Sequence, residues 1–238
     1  MRAVSDALET YSPVLDRDLA DVSLLDLGDL PLDGQPMEAA LAAIADAARY
    51  AASAARLAVM IGGEHTGSLG GYRGVKQVHP EAALLHVDAH LDIRPAYEGT
   101  VLTHASWLYH AGQQFGFDSI YQVGLRSGER QEWRFARAHT ALCTPDLALP
   151  AAARRRLGAG PVYLTIDVDV LDPAFAPGTG CPEPGGVSFR ELATFLYGLR
   201  GLHVVGLDVM EVSPNVDPAG VAAVGAAKLI REAVLLFS

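Results

Sequence analysis

The chain has 238 residues, half of them hydrophobic, enough for one large α/β core or two small ones. Its formal charge of -10 at pH 7 argues against nucleic acid or an anionic membrane surface as partner and is compatible with a cationic substrate. Two cysteines, Cys143 and Cys181, make no disulfide framework and fit a reducing cytoplasm. No uncharged apolar run is long enough to span a bilayer, the Ala-rich stretch 39–55 carrying Asp46 and Arg49. Met1–Asp6 has no apolar core and is not read as a signal peptide. The expectation is a soluble cytoplasmic protein.

In chain order, a short helix is predicted over 3–11 and a first strand over Val22–Leu27. Pro36 suits the first turn of a long Ala-rich helix reaching about Ala55. Leu57–Ile61 reads as a strand running into Gly62-Gly63-Glu64-His65, and Thr66–Val78 as a helix in spite of its glycines. Ala82–Val87 is an apolar run of the kind buried on both faces of a parallel sheet. A helix near 104–113, a strand over 118–123, a helix over Glu129–Ala138 and a strand over 139–143 follow. The rest reads as helix 147–157, strand 161–166, a Pro/Gly loop 172–187, helix 188–199, strand 202–207 and a last helix from about Pro218 to Leu236. Seven strands alternating with helices, without linker, repeat or low-complexity tract, predict one domain with an open, mainly parallel sheet. Gly62-Gly63 lacks the Gly-x-Gly-x-x-Gly spacing of a dinucleotide site.

Three strand ends carry the chemistry. Asp88, His90 and Asp92 stand at i, i+2 and i+4, and so project from one face of an extended segment. Asp167 and Asp169 repeat the i, i+2 spacing after strand 161–166, and His65 closes the Gly-Gly loop after strand 57–61. Open α/β sheets place ligands at the C-terminal ends of their strands. Carboxylates and imidazoles crowded there repel and desolvate one another unless a cation sits between them. Any one of these loops alone is open to the plainer reading of a solvated polar turn; three together favour metal. Four carboxylates and two imidazoles suit two divalent ions, and oxygen-rich, thiolate-free ligation points to Mn²⁺ more than Zn²⁺.

These loops resemble the signatures of the ureohydrolase superfamily, which contains arginases, agmatinases and formimidoylglutamases. They stand as Gly-Gly-Glu-His (62–65), Asp-Ala-His-x-Asp (88–92) and Asp-Val-Asp-Val-Leu-Asp-Pro-Ala-Phe-Ala-Pro-Gly-Thr-Gly (167–180), and the resemblance covers nearly the whole chain. It implies a three-layer α/β/α fold, two Mn²⁺ per chain and hydrolysis of a guanidino or amidino C–N bond. By motif match, His65, Asp88, Asp92 and Asp167 would hold one ion, and Asp88, His90, Asp167 and Asp169 the other. Asp92-Ile93-Arg94, Tyr97-Glu98-Gly99, Thr103–Ser106, Gln122–Gly128, Glu183–Val187 and Asp208–Pro214 look most like bacterial agmatinases. That likeness implies a small cationic guanidino substrate, agmatine, cleaved to putrescine and urea. It also implies a homo-oligomer, trimer or hexamer.

A guanidino carbon is a poor electrophile, and two close metals can hold a bridging hydroxide at neutral pH and aim it there. The departing amine then needs a proton. His104 matches the family's proton-shuttling histidine, and Glu211 its guanidinium-binding glutamate, a charge-assisted partner for the planar head group. On residue type alone, His104 reads as a capping or surface histidine and Glu211 as an exposed loop carboxylate. Asp208 is expected to orient a neighbour, Asp172 to cap its turn, and Arg94 and Arg126 to make ion pairs or face substrate. His86 is expected to pack in the sheet and Cys181 to be a buried small side chain. His79, His110, His139 and His203 carry no motif. The alternatives are another guanidino or formimino hydrolase, and a metal-binding homologue without turnover.

One departure concerns the N-terminus. Relatives of this type carry a strand, a Gly-x-Pro-x-Asp turn and an Arg-Pro-Gly loop ahead of the point matching residue 1. The chain is therefore expected to be short for the family, and the strand concerned would lie between 22–27 and 57–61. The expectation is either a trimmed form of a longer protein, with 22–27 standing apart, backbone groups and apolar surface uncovered and stability reduced, or closure of the gap by direct pairing of 22–27 with 57–61.

Overall fold

A computed structural model describes residues 1–238. Short runs of branched and aromatic residues between glycine-rich or polar turns form the strands, and Ala- and Leu-rich stretches form the helices that return the chain between them. After α1 (Arg2–Ser5) comes a small antiparallel hairpin, β1 (Tyr11–Ser12) and β2 (Arg17–Asp18). Then follow α2 (Met37–Ala54), β3 (Ala58–Ile61), α3 (Gly67–Val78), β4 (Ala83–Val87), α4 (Trp107–Phe115), β5 (Ile120–Val123), α5 (Arg130–His139) and β6 (Leu142–Cys143). The chain ends with α6 (Ala151–Leu157), β7 (Pro161–Asp167), α7 (Phe189–Gly198), β8 (His203–Met210) and α8 (Val221–Phe237). β3 to β8 form one sheet in the order β3-β8-β7-β4-β5-β6, every pair parallel.

Alternation along the central strands divides the core in two, giving three layers. Leu85, Val87, Leu164 and Ile166 face α6, α7 and α8. Leu84 and Tyr163 face α2, α3 and α4 with Leu69, Tyr72 and Trp107. Between β7 and β8 the register slips, Val162 pairing with Val204 but Tyr163 with Gly206. The extra residue, Val205, reverses the alternation of β8 and turns Asp208 to the side of Tyr163. The glycines of α3 let α2 lie against it: a Cβ at Gly70 would come within 2.8 Å of the Leu41 carbonyl oxygen, and one at Gly74 within 2.3 Å of that of Ala45.

Two sequence expectations are corrected here. Residues 22–32 contain no strand, so the sheet has six strands rather than seven. Leu24, Leu25 and Leu27 are 59%, 79% and 55% exposed, and the segment is tied down by Arg2, whose guanidinium donates to Asp26 and Asp29 at 2.7 Å each. Direct pairing with 57–61 does not occur; β3 is the sheet edge, bonded to β8 alone. The predicted helix over 3–11 is only one turn, after which 9–18 docks on α8. There the buried Arg231 donates to the carbonyls of Glu9 (2.5 Å) and Tyr11 (3.0 Å), and Ser12 Oγ donates to Glu232 (2.6 Å). No helix is long and apolar enough to cross a membrane.

Candidate active site

β3, β8, β7 and β4 are neighbours in the sheet, so the loops at their C-terminal ends meet over one patch. β3 delivers Glu64 and His65, β4 delivers Asp88, His90 and Asp92, β7 ends in Asp167 and turns into a 3-10 turn bearing Asp169, and β8 is followed by Glu211. Backbone N–H groups hold one oxygen of several carboxylates: His90 N donates to Asp88 Oδ1 (2.6 Å), Asp169 N to Asp167 Oδ1 (2.8 Å) and Ala89 N to Asp169 Oδ1 (3.2 Å). The other oxygens turn inward. His65 Nδ1 lies 3.2 Å from Asp88 Oδ2, 3.3 Å from Asp92 Oδ2 and 3.1 Å from Asp167 Oδ2. His90 Nδ1 lies 2.8 Å from Asp169 Oδ2 and 3.6 Å from Asp88 Oδ1. Two groups of possible ligands share Asp88: His65, His86, Asp88 and Asp92 in one, Asp88, His90 and Asp169 in the other. Asp167 stands beside the first, at 3.1 Å from His65 Nδ1, so the six residues named from the sequence lie together and His86 joins them.

The donor set fits divalent cations. His65 Nδ1 and Asp88 Oδ2 are buried with no hydrogen-bond partner, which is costly unless something positively charged satisfies them. Burial, then the charges of Asp169 and Asp88, drive the Asp167 carboxyl well above the usual range; burial and Asp88 push Asp169 up to about 7. Against burial, hydrogen bonding to Asp169 and Asp88 lifts His90 to about 12. Carboxylates that raise one another in this way are relieved by a cation between them. Donors about 3 Å apart suit ligand distances of about 2.0–2.2 Å.

Two of the candidate residues sit in the left-handed backbone region, Asp92 at φ 49° and Glu211 at φ 65°. For a non-glycine residue this costs about 1–3 kcal/mol and persists only where the surroundings enforce it. Here they do. Asp92 Oδ2 accepts from Trp107 Nε1 (3.0 Å) and its carbonyl from Leu108 N (3.2 Å). Glu211 N donates to the Gly63 carbonyl (2.7 Å), and its Oε1 accepts from His65 N (2.6 Å). The bend aims the Glu211 carboxylate into the pocket, where burial raises its pKa.

The pocket has a volume of about 370 Å³. His90, Asp92, Asp167, Asp169 and Glu211 line it with His104, Arg94, Tyr97, Glu129, Glu132 and Cys181. His104 is partly exposed, its ring edge-on to Tyr97, and its Nδ1 lies 3.6 Å from Glu64 Oε1. That carboxylate raises the His104 pKa above the ordinary histidine value. Arg94 is the only arginine or lysine on the lining, and it is paired: Nε to Glu132 (3.0 Å), Nη1 to Glu129 (3.4 Å), with the guanidinium 5.0 Å over the Tyr97 ring. Arg126 does not face the pocket; it donates to the carbonyls of Asp169 (2.6 Å), Val170 (3.1 Å) and Glu183 (2.6 Å), stapling loop 172–187 to the β7 turn. Asp172 accepts from Ala174, Gly185 and Gly186 N–H groups, the cap expected of it. Asp208 accepts from Tyr163 Oη and lies fully buried. Cys181 is exposed and lines the pocket, not buried as expected.

Sequence reading missed two residues. Trp107 holds Asp92 and stacks 4.9 Å from the His65 ring; nothing in its spacing marks it. His86, expected merely to pack, has Nε2 2.8 Å from Asp88 Oδ2. Its signal was available: it stands two residues before Asp88, on the same strand face.

The family model described as "Arginase family" matches residues 1–236. The chain belongs to the arginase family. Members of this family are metal-dependent hydrolases of guanidino C–N bonds, so the protein is a hydrolase of linear amidines. It is 36% identical to an agmatinase of Halalkalibacterium halodurans, over 99% of this chain and 83% of that one. It is 34% identical to a guanidinobutyrase of Pseudomonas aeruginosa, over 74% of this chain and 59% of that one. A candidate agmatinase from Clostridium difficile has a solved structure that superposes with a TM-score of 0.90 at 35% identity, covering 100% of this chain and 87% of its own. The layered parallel sheet is the fold of this family.

Proposed function

We propose that the protein hydrolyses agmatine to putrescine and urea at a dinuclear manganese centre held by His65, Asp88, His90, Asp92, Asp167 and Asp169. The observation that carries the choice of substrate is the charge of the pocket. Its only lysine or arginine, Arg94, is already paired with Glu132 and Glu129, so a carboxylate tail finds no free cation, whereas an amine tail finds carboxylates. The agmatinases among its relatives support the same reading.

When bound, the divalent ions supply an activated water at neutral pH and neutralise the carboxylate cluster. The chain's own groups do the rest. Glu211, held by Gly63 and His65, accepts hydrogen bonds from the planar guanidinium, whose charge favours the ionised carboxylate against the effect of burial. The guanidino carbon is thereby oriented over the cluster. His104, whose protonated form Glu64 favours, gives its proton to the departing amine nitrogen. Tyr97 packs against the His104 ring and limits its rotation.

Urea release from agmatine, arginine and 4-guanidinobutyrate by the Mn²⁺-loaded protein tests this. Agmatine is expected to exceed either carboxylate-bearing compound at least ~100-fold in kcat/KM, the scale of an unpaired buried charge. A preference for 4-guanidinobutyrate would transfer the assignment to the guanidinobutyrase type and require Arg94 to leave Glu132.

A further inference from the structure

Of the buried titratable groups at the C-terminal end of the sheet that the proposed function leaves without a role, His86 and Asp208, His86 is the one whose side chain lies against a candidate metal ligand. It lies in β4 with no exposed surface, on the strand face that bears Asp88, its ring edge-on to Trp107 at 5.6 Å. Its Nε2 is 2.8 Å from Asp88 Oδ2, yet neither atom makes a well-formed hydrogen bond, so that oxygen keeps its lone pairs for a cation. On the neighbouring strand β5, Gln122 pairs with His86 in register. Gln122 Nε2 is 2.9 Å from the Leu91 carbonyl and 3.3 Å from His86 Nδ1. A carbonyl only accepts, so Leu91 fixes which end of the Gln122 amide is the NH₂ group. One N–H goes to Leu91 and the other points at His86 Nδ1. Nδ1 is then the acceptor, and the single proton of the neutral ring is on Nε2, facing Asp88.

A protonated ring nitrogen cannot ligate a cation. We propose that His86 is a positioning residue: its tautomer is set by Gln122, and its Nε2–H, 2.8 Å from Asp88 Oδ2, keeps that carboxylate by electrostatic attraction where both clusters can share it. This rests on the metal-centre reading above. Groups that orient a ligand in this way are commonly worth about 10–100-fold in metal affinity.

The experiment measures Mn²⁺ affinity by competition with a chelator, metal content by elemental analysis, and the absorption spectrum of the Co²⁺-loaded protein. It compares the parent chain with His86→Ala, His86→Gln and Gln122→Leu. Glutamine places an amide N–H near the position of Nε2, so it should restore most of the affinity that alanine loses. Gln122→Leu should cost less than alanine, because the imidazole keeps its place and loses only its fixed tautomer. His86→Ala is expected to weaken Mn²⁺ binding about 10–100-fold while saturating at the parent stoichiometry with an unchanged Co²⁺ spectrum. Unchanged affinity in His86→Ala overturns the proposal. So does loss of a whole metal equivalent with an altered Co²⁺ spectrum that glutamine does not rescue, since His86 would then be a ligand. Should the metal-free alanine variant unfold, His86→Gln and Gln122→Leu decide by the same readouts. A wrong substrate would show as absent urea release with this order of affinities intact.

Discussion

Three apolar runs of similar local appeal met three different fates. Ala82–Val87 became β4, bonded to β7 on one side and β5 on the other, with Leu84, Leu85, His86 and Val87 fully buried. Leu57–Ile61 became β3, bonded to β8 alone and with Ile61 47% exposed. Val22–Leu27 became no strand at all, and Leu25 is 79% exposed. A strand's stability comes from partners across the ladder and from the faces it buries, more than from its own residues. The candidate site does not simply follow that gradient: His65, after the edge strand β3, is as fully buried as Asp88 after β4, whereas Glu64 and His104 are partly exposed.

The largest effect should come from the two-sided strand. Leu85→Ala removes a fully buried side chain between β4 and the layer of α6, α7 and α8. It is expected to cost about 2–5 kcal/mol in denaturant unfolding of the metal-free protein. A loss below 1 kcal/mol would mean the site collapses around the gap and that β4 is no more constrained than an edge.

An intermediate effect is expected at the loop after β3, and it appears in pH rather than stability. With His104 as the proposed acid, activity should fall as pH rises through its pKa, which Glu64 holds above the ordinary value. Removing that charge in Glu64→Gln lowers the pKa. The alkaline limb of the kcat/KM profile should therefore move to lower pH while the plateau at more acid pH changes little. An alkaline limb that stays in place would separate His104 from proton delivery, or Glu64 from His104.

The same gradient explains how much was legible beforehand. Asp88, His90 and Asp92, with Asp167 and Asp169, could be picked out by their spacing at strand ends, although a left-handed bend at Asp92 and a 3-10 turn bearing Asp169, not a continued extended backbone, bring them together. The parallel order followed from alternating strands and helices. The β7–β8 slip at Val162/Tyr163 depends on how two strands fit, and no residue announces it. Cys181 was misjudged for a related reason: the exposure of a short side chain in a long loop is set by how the loop folds, not by its own residue type. His86 packs in the sheet as expected, but its contact with Gln122 comes from a neighbouring strand and is not marked in the sequence.

The smallest effect should fall on the run without partners. Leu25→Ser exchanges a largely exposed side chain in a segment whose order comes from Arg2 reaching Asp26 and Asp29. Exposed ion pairs are worth little, and a surface substitution away from caps and networks stays within about 0.5 kcal/mol. Chemical denaturation should give the parent midpoint and slope, and urea release should be unchanged. A loss above about 1 kcal/mol would show that Leu25 is covered in solution. A midpoint that also depended on protein concentration would identify the cover as a second copy of the chain, because binding to the folded state alone stabilises by mass action. The gradient would then no longer separate paired from unpaired strands. It would separate pairing within one chain from burial between chains.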